Sequence, residues 1–285
     1  MYASAFDYVR VSSWAEAVAQ LQELGDEAHV IAGGQSLVPM MMLHYAVPSA
    51  LIDIGGVDER TIELADDGSL VLSALVRHVD LQHSDVVARH TPMLTQAVRQ
   101  IGNVRVRQRG TIGGSLAHGD AASDLPAAML ITEAEVTVQG PDGQRSVAAA
   151  DLFKGYMTTD VGAQEVLTEI RIPTMDGWGY GHQKFNRRSE DWAMVGVCAV
   201  VKAADGVCED VRIGLTHMGS VPLRATAAEE ALRGQELSAE NIAKAAEQAA
   251  EGTNPPSDLN ASTDYKRHLA RVLTRRAIAD AVGGG

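Results

Sequence analysis

The sequence predicts an α+β fold with a larger N-terminal part and a smaller C-terminal part made of a short sheet packed on helices. In the N-terminal part, apolar runs typical of strands mix with helical patterns, without a regular βαβ rhythm. A proline and several glycines cluster between residues 173 and 181 and indicate a boundary. Beyond it, two strand-like runs precede three helical patterns. We therefore expect two domains, residues 1–175 and 176–285.

The N-terminal elements follow from apolar spacing and from the residues that begin or end helices. Ser12 or Ser13 can cap a helix over residues 14–24, and Gly25 is suited to end it. Residues 29–32 and 50–54 have the pattern of buried strands, with a short apolar helical turn around Met40 between them. The next predicted elements are a strand at 69–74, helices at 79–88, 92–101 and 126–132, and a hairpin joining 136–139 to 145–148.

Residues 103–109 alternate, with Val104 and Val106 on one side and three arginines on the other. The alternation predicts an extended segment whose arginine face is either a solvated basic edge or lies beside a cofactor phosphate. After the boundary we expect strands at 194–201 and 211–215 and helices at 225–233, at 239–251 and after Asp264. The glycines at 283–285 predict a disordered tail.

Composition and charge narrow the class of protein. The chain has 285 residues, 46% hydrophobic and 21% charged, as in ordinary globular proteins. Its net charge of −13 argues against nucleic acid as a partner. No apolar stretch approaches the ~20 residues of a membrane span, and no signal segment opens the sequence, so we expect a cytoplasmic protein. Cys198 and Cys208 are too few for an iron–sulfur cluster, which takes about four cysteines.

Two glycine pairs in similar contexts are the most informative feature of the chain. They are Ala32-Gly33-Gly34-Gln35-Ser36 and Thr111-Ile112-Gly113-Gly114-Ser115. Glycine allows a positive φ and lets a ligand approach the backbone, and successive N–H groups in such turns bind anions. Two such loops predict a cofactor with a pyrophosphate, whereas either loop alone is more often an ordinary tight turn, because glycine turns are common. Neither matches the Walker pattern or the dinucleotide fingerprint.

Longer strings around these pairs carry a family resemblance. AGGQSLVPMM at 32–41, TIGGSLAHGDAASDLPA at 111–127, KFNRR at 184–188 and YKRHL at 265–269 resemble the FAD-binding medium subunits of molybdenum hydroxylases, in their carbon monoxide dehydrogenase branch. The resemblance extends in order over essentially the whole chain. It implies a two-lobed FAD-binding domain of the PCMH type followed by a smaller C-terminal domain.

The resemblance also implies a set of FAD-binding residues. Asp124 would bind the sugar-alcohol chain, Lys184 would lie near the isoalloxazine, and Trp192 would cover one flavin face. Without the resemblance, Asp124 could be a helix cap, Lys184 a solvated lysine, and Leu167 and Ile101 core residues. The complete predicted set is Ala32, Gly33, Gly34, Gln35, Ser36, Ile101, Thr111, Gly113, Gly114, Ser115, Asp124, Leu167, Lys184 and Trp192.

The same resemblance implies a three-subunit enzyme. A large subunit would oxidise substrate at a molybdenum–pterin centre, and a small subunit would carry two [2Fe-2S] clusters. This chain would take the electrons onto FAD and pass them to an external acceptor, a quinone or another molecule, in a dimer of heterotrimers. The acceptor could bring the complex to the inner face of the membrane. Carbon monoxide is the expected substrate, and an N-heterocycle or an aldehyde remains an alternative.

Other functions are less consistent with the sequence. A stand-alone flavin oxidase often tethers its flavin through His or Cys, and neither occurs inside the two glycine segments. A nucleotide-sensing module would bind an adenine nucleotide without flavin. The sequence around His118 and Ser123 lacks the nucleophile-elbow pattern of a hydrolase. His78, His83 and His90 lack the spacing of metal ligands, so we expect them at the surface and predict no metal in this chain.

Overall fold

Residues 2–283 are described in the computed structural model, and their strands form four sheets. The first sheet is parallel, with β1 (Asp7–Arg10) and β2 (Ala28–Ile31) on either side of β3 (Ala50–Asp53). The second sheet is antiparallel and has five strands: β4 (Ile62–Leu64), β5 (Leu70–Ser73), β6 (Glu135–Gly140), β7 (Gly143–Ala148) and β10 (Val166–Ile172). Their order across the sheet is β4-β5-β10-β6-β7. A small hairpin pairs β8 (Phe153–Gly155) with β9 (Thr158–Thr159).

The C-terminal part contains a four-stranded antiparallel sheet. Its order along the sheet is β11 (Trp178–Phe185), β12 (Val195–Ala204), β13 (Val207–Thr216) and β14 (Leu223–Arg224).

The helices connect and cover these sheets. They are α1 Trp14–Leu24, α2 Leu37–Met42, α3 His78–His83, α4 Asp85–His90, α5 Pro92–Arg99, α6 Val104–Arg109, α7 Ile112–His118, α8 Asp124–Ile131, α9 Ala149–Leu152, α10 Thr226–Leu232, α11 Ala239–Glu247 and α12 Thr263–Gly283. Single 3₁₀ turns follow β3 and α11, at Ile54–Gly56 and Gln248–Ala250.

Several predicted elements are confirmed with their end signals. Helix α1 begins after Ser13, whose side chain accepts the N–H of Glu16, and ends before Gly25 in a positive-φ conformation. The predicted hairpin is β6–β7, in which Val136 pairs with Val147. The mixed helix and sheet content confirms the α+β class, with a parallel three-stranded sheet at the N-terminus.

Three local predictions are wrong. Residues 103–109 form helix α6, because the Asn103 side chain accepts the N–H groups of Arg105 and Val106 and caps it. The helix predicted at 79–88 is two helices, because Ser84 ends α3 and caps α4 through the N–H of Val87. Gly283 ends α12 rather than opening a disordered tail, and Gly284 and Gly285 lie outside the described residues.

Close glycine contacts hold the C-terminal sheet between helices of both parts of the chain. A Cβ at Gly179 or Gly181 of β11 would overlap the carbonyl oxygens of Ala281 and Ala277 on α12. On β13, a Cβ at Gly214 would lie 2.6 Å from the carbonyl oxygen of Ala127 on α8. Strand β12 accordingly contributes Cys198 and Val200 to the N-terminal core and its other buried apolar residues to the C-terminal core. The two parts therefore share one sheet rather than meeting at a linker.

Candidate cofactor site

One cavity of about 690 Å³ lies where the loops after β2, β5 and β11 meet helices α7 and α8. Every residue of the predicted FAD-binding set lines it, from Ala32 in the first glycine segment to Trp192 in the C-terminal part. Cavities of this size are typical of small-molecule and cofactor sites. Residues far apart in sequence thus converge on one space, as a bound cofactor requires.

The first glycine segment has the free backbone donors that an anion needs. It follows β2 directly, and Gly34 adopts a positive φ of 71°. Within the described chain, the N–H groups of residues 33–36 have no hydrogen-bond acceptor, although they line the cavity. Successive free N–H groups in a turn form a concavity that binds phosphate-like groups. This segment fits a pyrophosphate.

The second glycine segment is not a loop, contrary to the prediction. Thr111 caps α7, so Gly113 and Gly114 lie in the first turn of that helix. The N–H of Gly113 donates to the carbonyl of Ala74 at 3.0 Å, and the N–H of Gly114 donates to Thr111 Oγ1 at 3.1 Å. Both glycine amides are therefore already paired. A Cβ at Gly113 would lie 2.5 Å from the Cβ of Ala74, so glycine here permits close packing.

The two glycine segments are pressed against each other. A Cβ added at Gly33 would overlap the carbonyl oxygen of Arg109 and lie 2.9 Å from the Cα of Gly110. This backbone contact alone requires glycine at position 33, whether or not a ligand is bound. The contact fixes both segments on one wall of the cavity.

A buried ion pair joins the N-terminal part to the C-terminal sheet. Lys184 Nζ on β11 donates to Asp124 Oδ2 at 2.7 Å and to the carbonyl of Gln100 at 2.9 Å. The side chains of Lys184 and Asp124 are only 2% and 4% exposed. The alternative of a solvated Lys184 is therefore wrong. Asp124 is the first residue of α8 after Ser123 and makes no capping hydrogen bond.

Asp124 keeps one carboxylate oxygen without a partner. Its Oδ1 is buried and accepts no hydrogen bond from the described chain, although the residue lines the cavity. Burial raises the pKa of Asp124 to about 6, against the opposing effect of Lys184. Buried polar atoms in folded proteins are normally paired, so this oxygen suits a hydroxyl donor on a ligand. The ribityl chain of a flavin offers such hydroxyls.

The apolar and aromatic members of the set differ in exposure. Leu167 on β10 is buried and Ile101 is half-buried, as expected for side chains that pack beside a ring. Trp192 follows β11 and is 54% exposed. It also lines a second cavity of about 430 Å³ that contains Arg187, Arg188 and His217. Trp192 therefore stands at the mouth of the larger cavity.

His78 is a cavity residue that the sequence interpretation missed. The sequence predicts it at the surface, but the residue is only 2% exposed and lines the cavity. Burial, with Arg107 nearby, lowers its pKa to about 4. Its Nε2 lies 3.2 Å from Ser115 Oγ, whereas its Nδ1 has no partner. The sequence offered one signal, Gly110, since only glycine leaves room for this ring.

The other functions considered for this region find no support in the described residues. Asp120 Oδ1 accepts the N–H of Ala122, and His118 makes no hydrogen bond with Ser123 or Asp124. The His78–Ser115 pair has no carboxylate on Nδ1, so it is not a hydrolytic triad. Across residues 2–283, no group of His, Cys, Asp and Glu side chains has the arrangement of a metal site. No helix in that range has the length and apolar character to cross a bilayer.

The fold and cavity define a two-domain, flavin-binding subunit. Residues 4–175 match the family model of the FAD binding domain in molybdopterin dehydrogenase. Residues 181–281 match the CO dehydrogenase flavoprotein C-terminal domain. The chain belongs to the family of FAD-binding medium subunits of molybdenum hydroxylases, and it is an oxidoreductase subunit.

Characterised relatives cover nearly the full length of the chain. It is 39% identical to the nicotine 6-hydroxylase medium subunit of Paenarthrobacter nicotinovorans, over 93% of this chain and 94% of that protein. It is 36% identical to the carbon monoxide dehydrogenase medium chain of Hydrogenophaga pseudoflava, over 96% of each. The glyceraldehyde dehydrogenase medium chain of Sulfolobus acidocaldarius is 34% identical, over 98% of this chain and 99% of that protein.

Solved structures agree with the fold. Carbon monoxide dehydrogenase from Hydrogenophaga pseudoflava superposes with a TM-score of 0.97 at 38% identity, over 99% of both chains. Quinoline 2-oxidoreductase from Pseudomonas putida 86 gives 0.95 at 34% identity, over 100% of this chain and 99% of that one.

Proposed function

We propose that this chain binds one FAD non-covalently and relays electrons from iron–sulfur clusters of a small partner subunit to an external acceptor. The observation that carries the proposal is the convergence of both glycine segments, Asp124 and Lys184 on one cavity. The flavin supplies the redox chemistry, and the protein supplies binding, orientation and electrostatics.

The described residues divide the cofactor between two walls of the cavity. The free N–H groups of residues 33–36 would hold the pyrophosphate, and Asp124 Oδ1 would accept a ribityl hydroxyl. Lys184 would place a positive charge near the isoalloxazine, with Ile101 and Leu167 against the ring and Trp192 over one face. These contacts stabilise the cofactor without a covalent bond.

The cofactor assignment is tested by releasing the flavin. Acid precipitation of the purified complex should leave the protein in the pellet and the FAD in the supernatant, at one FAD per copy of this chain. Flavin retained in the pellet, or a complex without flavin, would contradict the proposal and favour a stand-alone oxidase or a nucleotide-binding module.

The partners belong to the same proposal. Relatives include the subunit alpha of a 6-hydroxypseudooxynicotine dehydrogenase complex and the subunit beta of caffeine dehydrogenase. We expect a large molybdenum–pterin subunit and a small subunit with two [2Fe-2S] clusters, assembled as a dimer of heterotrimers. A quinone or another molecule would accept the electrons, in the cytoplasm or at the inner face of the membrane. Tandem affinity purification followed by native mass spectrometry measures the composition.

Carbon monoxide is the substrate we propose for the whole complex. The solved carbon monoxide dehydrogenases superpose on this chain over almost its full length. The medium subunits of nicotine 6-hydroxylase and glyceraldehyde dehydrogenase have a sequence identity to this chain similar to that of the carbon monoxide dehydrogenase medium chain. An N-heterocycle or an aldehyde is therefore the second candidate substrate. Dye reduction by the purified complex with carbon monoxide, a quinoline and an aldehyde distinguishes these substrates.

The division into residues 1–175 and 176–285 is likewise proposed. It agrees with the family-model bounds, although β12 packs on both sides of the division. Limited proteolysis should cut first between β10 and β11, and a first cut elsewhere would move the boundary.

A further inference from the structure

Four of the five backbone amides of the second glycine segment are paired within the chain, and its side-chain hydroxyls remain to offer a ligand. The N–H groups of Ile112, Gly113, Gly114 and Ser115 all donate to acceptors in the chain. The segment nevertheless lines the cavity, next to the first glycine segment. Its remaining donors are the N–H group of Thr111 and the O–H groups of Thr111 and Ser115. This segment therefore offers an anion fewer backbone N–H groups than residues 33–36 do.

His78 is held against one of these hydroxyls. Its backbone N–H donates to the carbonyl of Gly110 at 3.0 Å, and its ring packs where a Cβ at Gly110 would lie 2.8 Å from the ring Cδ2. This packing sets Nε2 3.2 Å from Ser115 Oγ. The ring is buried with Nδ1 unpartnered, so the serine is its hydrogen-bonding partner among the described residues.

The two neutral tautomers of His78 have different consequences for Ser115. With the proton on Nε2, the imidazole donates to Ser115 Oγ and the serine O–H is free to point into the cavity. With the proton on Nδ1, the serine O–H is used by Nε2, and a buried N–H has no acceptor, which folded proteins avoid. A negatively charged ligand favours the first arrangement, because it attracts the free O–H.

We propose that His78 is a positioning residue that donates from Nε2 to Ser115 and so directs the serine O–H onto a phosphate of the cofactor. The two glycine segments then bind the pyrophosphate by different chemistry, with backbone amides on the first and an oriented hydroxyl on the second. The neutral ring adds no charge, since burial lowers its pKa to about 4. This inference rests on the proposed function, since it requires a phosphate-bearing cofactor in the cavity.

A double-mutant cycle tests the pair. The flavin-free full chain is titrated with FAD by flavin fluorescence for wild type, Ser115→Ala, His78→Phe and the double variant. One hydrogen bond to a charged group corresponds to a loss of affinity of about tenfold or more for Ser115→Ala. His78→Phe should lose a similar factor, and the double variant should bind no more weakly than Ser115→Ala. His78→Gln keeps an amide N–H donor and should restore most of the affinity.

Several outcomes would overturn the proposal. These are unchanged binding by Ser115→Ala, multiplicative losses in the double variant, and His78→Gln binding as weakly as His78→Phe. Riboflavin carries no phosphate, so an equal loss for riboflavin would place Ser115 beside another part of the cofactor and also overturn it. A wild-type chain that binds no FAD would contradict the proposed function instead.

A measurement on the unchanged chain covers the case in which His78→Phe does not fold. Nitrogen-15 NMR of the histidine-labelled, FAD-loaded chain reports which ring nitrogen of His78 is protonated. The proposal requires the proton on Nε2, and a proton on Nδ1 overturns it.

Discussion

At the scale of single residues, the buried charges around the cavity are the features with the largest expected effects. Lys184 and Asp124 form an ion pair that is almost fully buried. Removing one partner of such a pair is costly because it leaves an uncompensated charge. The pair therefore links the electrostatics of the cavity to the packing of β11.

The first prediction concerns the flavin potential. We expect Lys184→Met to lower the reduction potential of the bound flavin, because it removes a positive charge that stabilises the reduced anionic ring. Each 30 mV corresponds to about 1.4 kcal/mol for a two-electron couple. A spectroelectrochemical titration measures the potential, and Lys202→Met, which changes an exposed lysine near the end of β12, is the control. An unchanged potential at full FAD occupancy would show that Lys184 does not lie close to the isoalloxazine.

The second prediction concerns acid stability. Burial lowers the pKa of His78 and of His182 to about 4 from an ordinary value of 6.5. Between these two pH values the unfolded chain binds protons at both histidines that the folded chain does not bind. The contribution of these histidines to the free energy of unfolding is therefore lost as pH falls from about 6.5 towards 4. Asp124 has the opposite effect. Its pKa is raised in the folded chain, so its contribution to the free energy of unfolding is lost as pH rises from about 4 to 6. Because the two histidines outweigh the one aspartate, we expect the free energy of unfolding to fall as the pH is lowered.

Urea unfolding of the flavin-free chain between pH 7 and 4.5 measures this dependence. We expect His182→Gln to flatten the curve, since one such histidine contributes up to about 3 kcal/mol over its range. His83→Gln makes the same change at an exposed histidine and serves as the control. A wild-type chain that is more stable at pH 4.5 than at pH 7 would contradict the prediction.

All of the residues predicted from the sequence to bind FAD line the cavity, and most of them lie in specific strings. The sequence missed His78, because the burial of that ring depends on Gly110, which lies far along the chain and contacts it only after folding. It also misjudged the amides of Gly113 and Gly114, whose partners are supplied by Ala74 and by the cap Thr111. Local patterns do not reveal such acceptors.

At the scale of elements, backbone contacts at glycine decide how closely segments approach. We predict that Gly33→Ala lowers the free energy of unfolding by about 1–3 kcal/mol even without FAD, because its Cβ overlaps the backbone at Arg109. Gly155→Ala on β8 is the matched control, since a Cβ there meets only Thr158 Cβ at 3.9 Å. Chemical unfolding of both flavin-free variants gives the comparison, and equal stability would contradict it.

Elements with strong local signals were predicted, and those that depend on distant partners were not. The residues that begin and end helix α1 lie directly beside it, and the turn of the β6–β7 hairpin lies between its two strands. Strand β1 is short and largely exposed, and it becomes a strand only by pairing with β3. Helix α6 has the alternation of a strand, and its cap Asn103 outweighs that pattern.

At the scale of the whole molecule, the sequence predicts a boundary near residue 175, which stays a prediction, but it does not predict that β12 packs against both cores. The cluster of proline and glycine marks the chain segment, whereas the packing of β12 against both cores depends on the complete fold. The C-terminal part completes the cavity through Lys184 and Trp192.

The last prediction concerns the isolated chain. In the proposed function the substrate is oxidised on the large partner subunit, so this chain alone should bind FAD yet reduce no dye with carbon monoxide, a purine or an aldehyde. A steady-state assay of the separately expressed, FAD-loaded chain measures this, with the intact complex as positive control. Turnover by the isolated chain would overthrow the electron-relay function.

The ion pair between α8 and β11 also sets an order of events during synthesis. Asp124 and Lys184 are 60 residues apart in sequence. A ribosome therefore releases both glycine segments and the carboxylate before it releases the lysine that neutralises it. Until β11 has emerged, the nascent chain has neither the counter-ion nor one wall of the cavity. In the proposed function we therefore expect flavin capture to begin only after β11 has emerged, and a product truncated before residue 184 to bind no flavin.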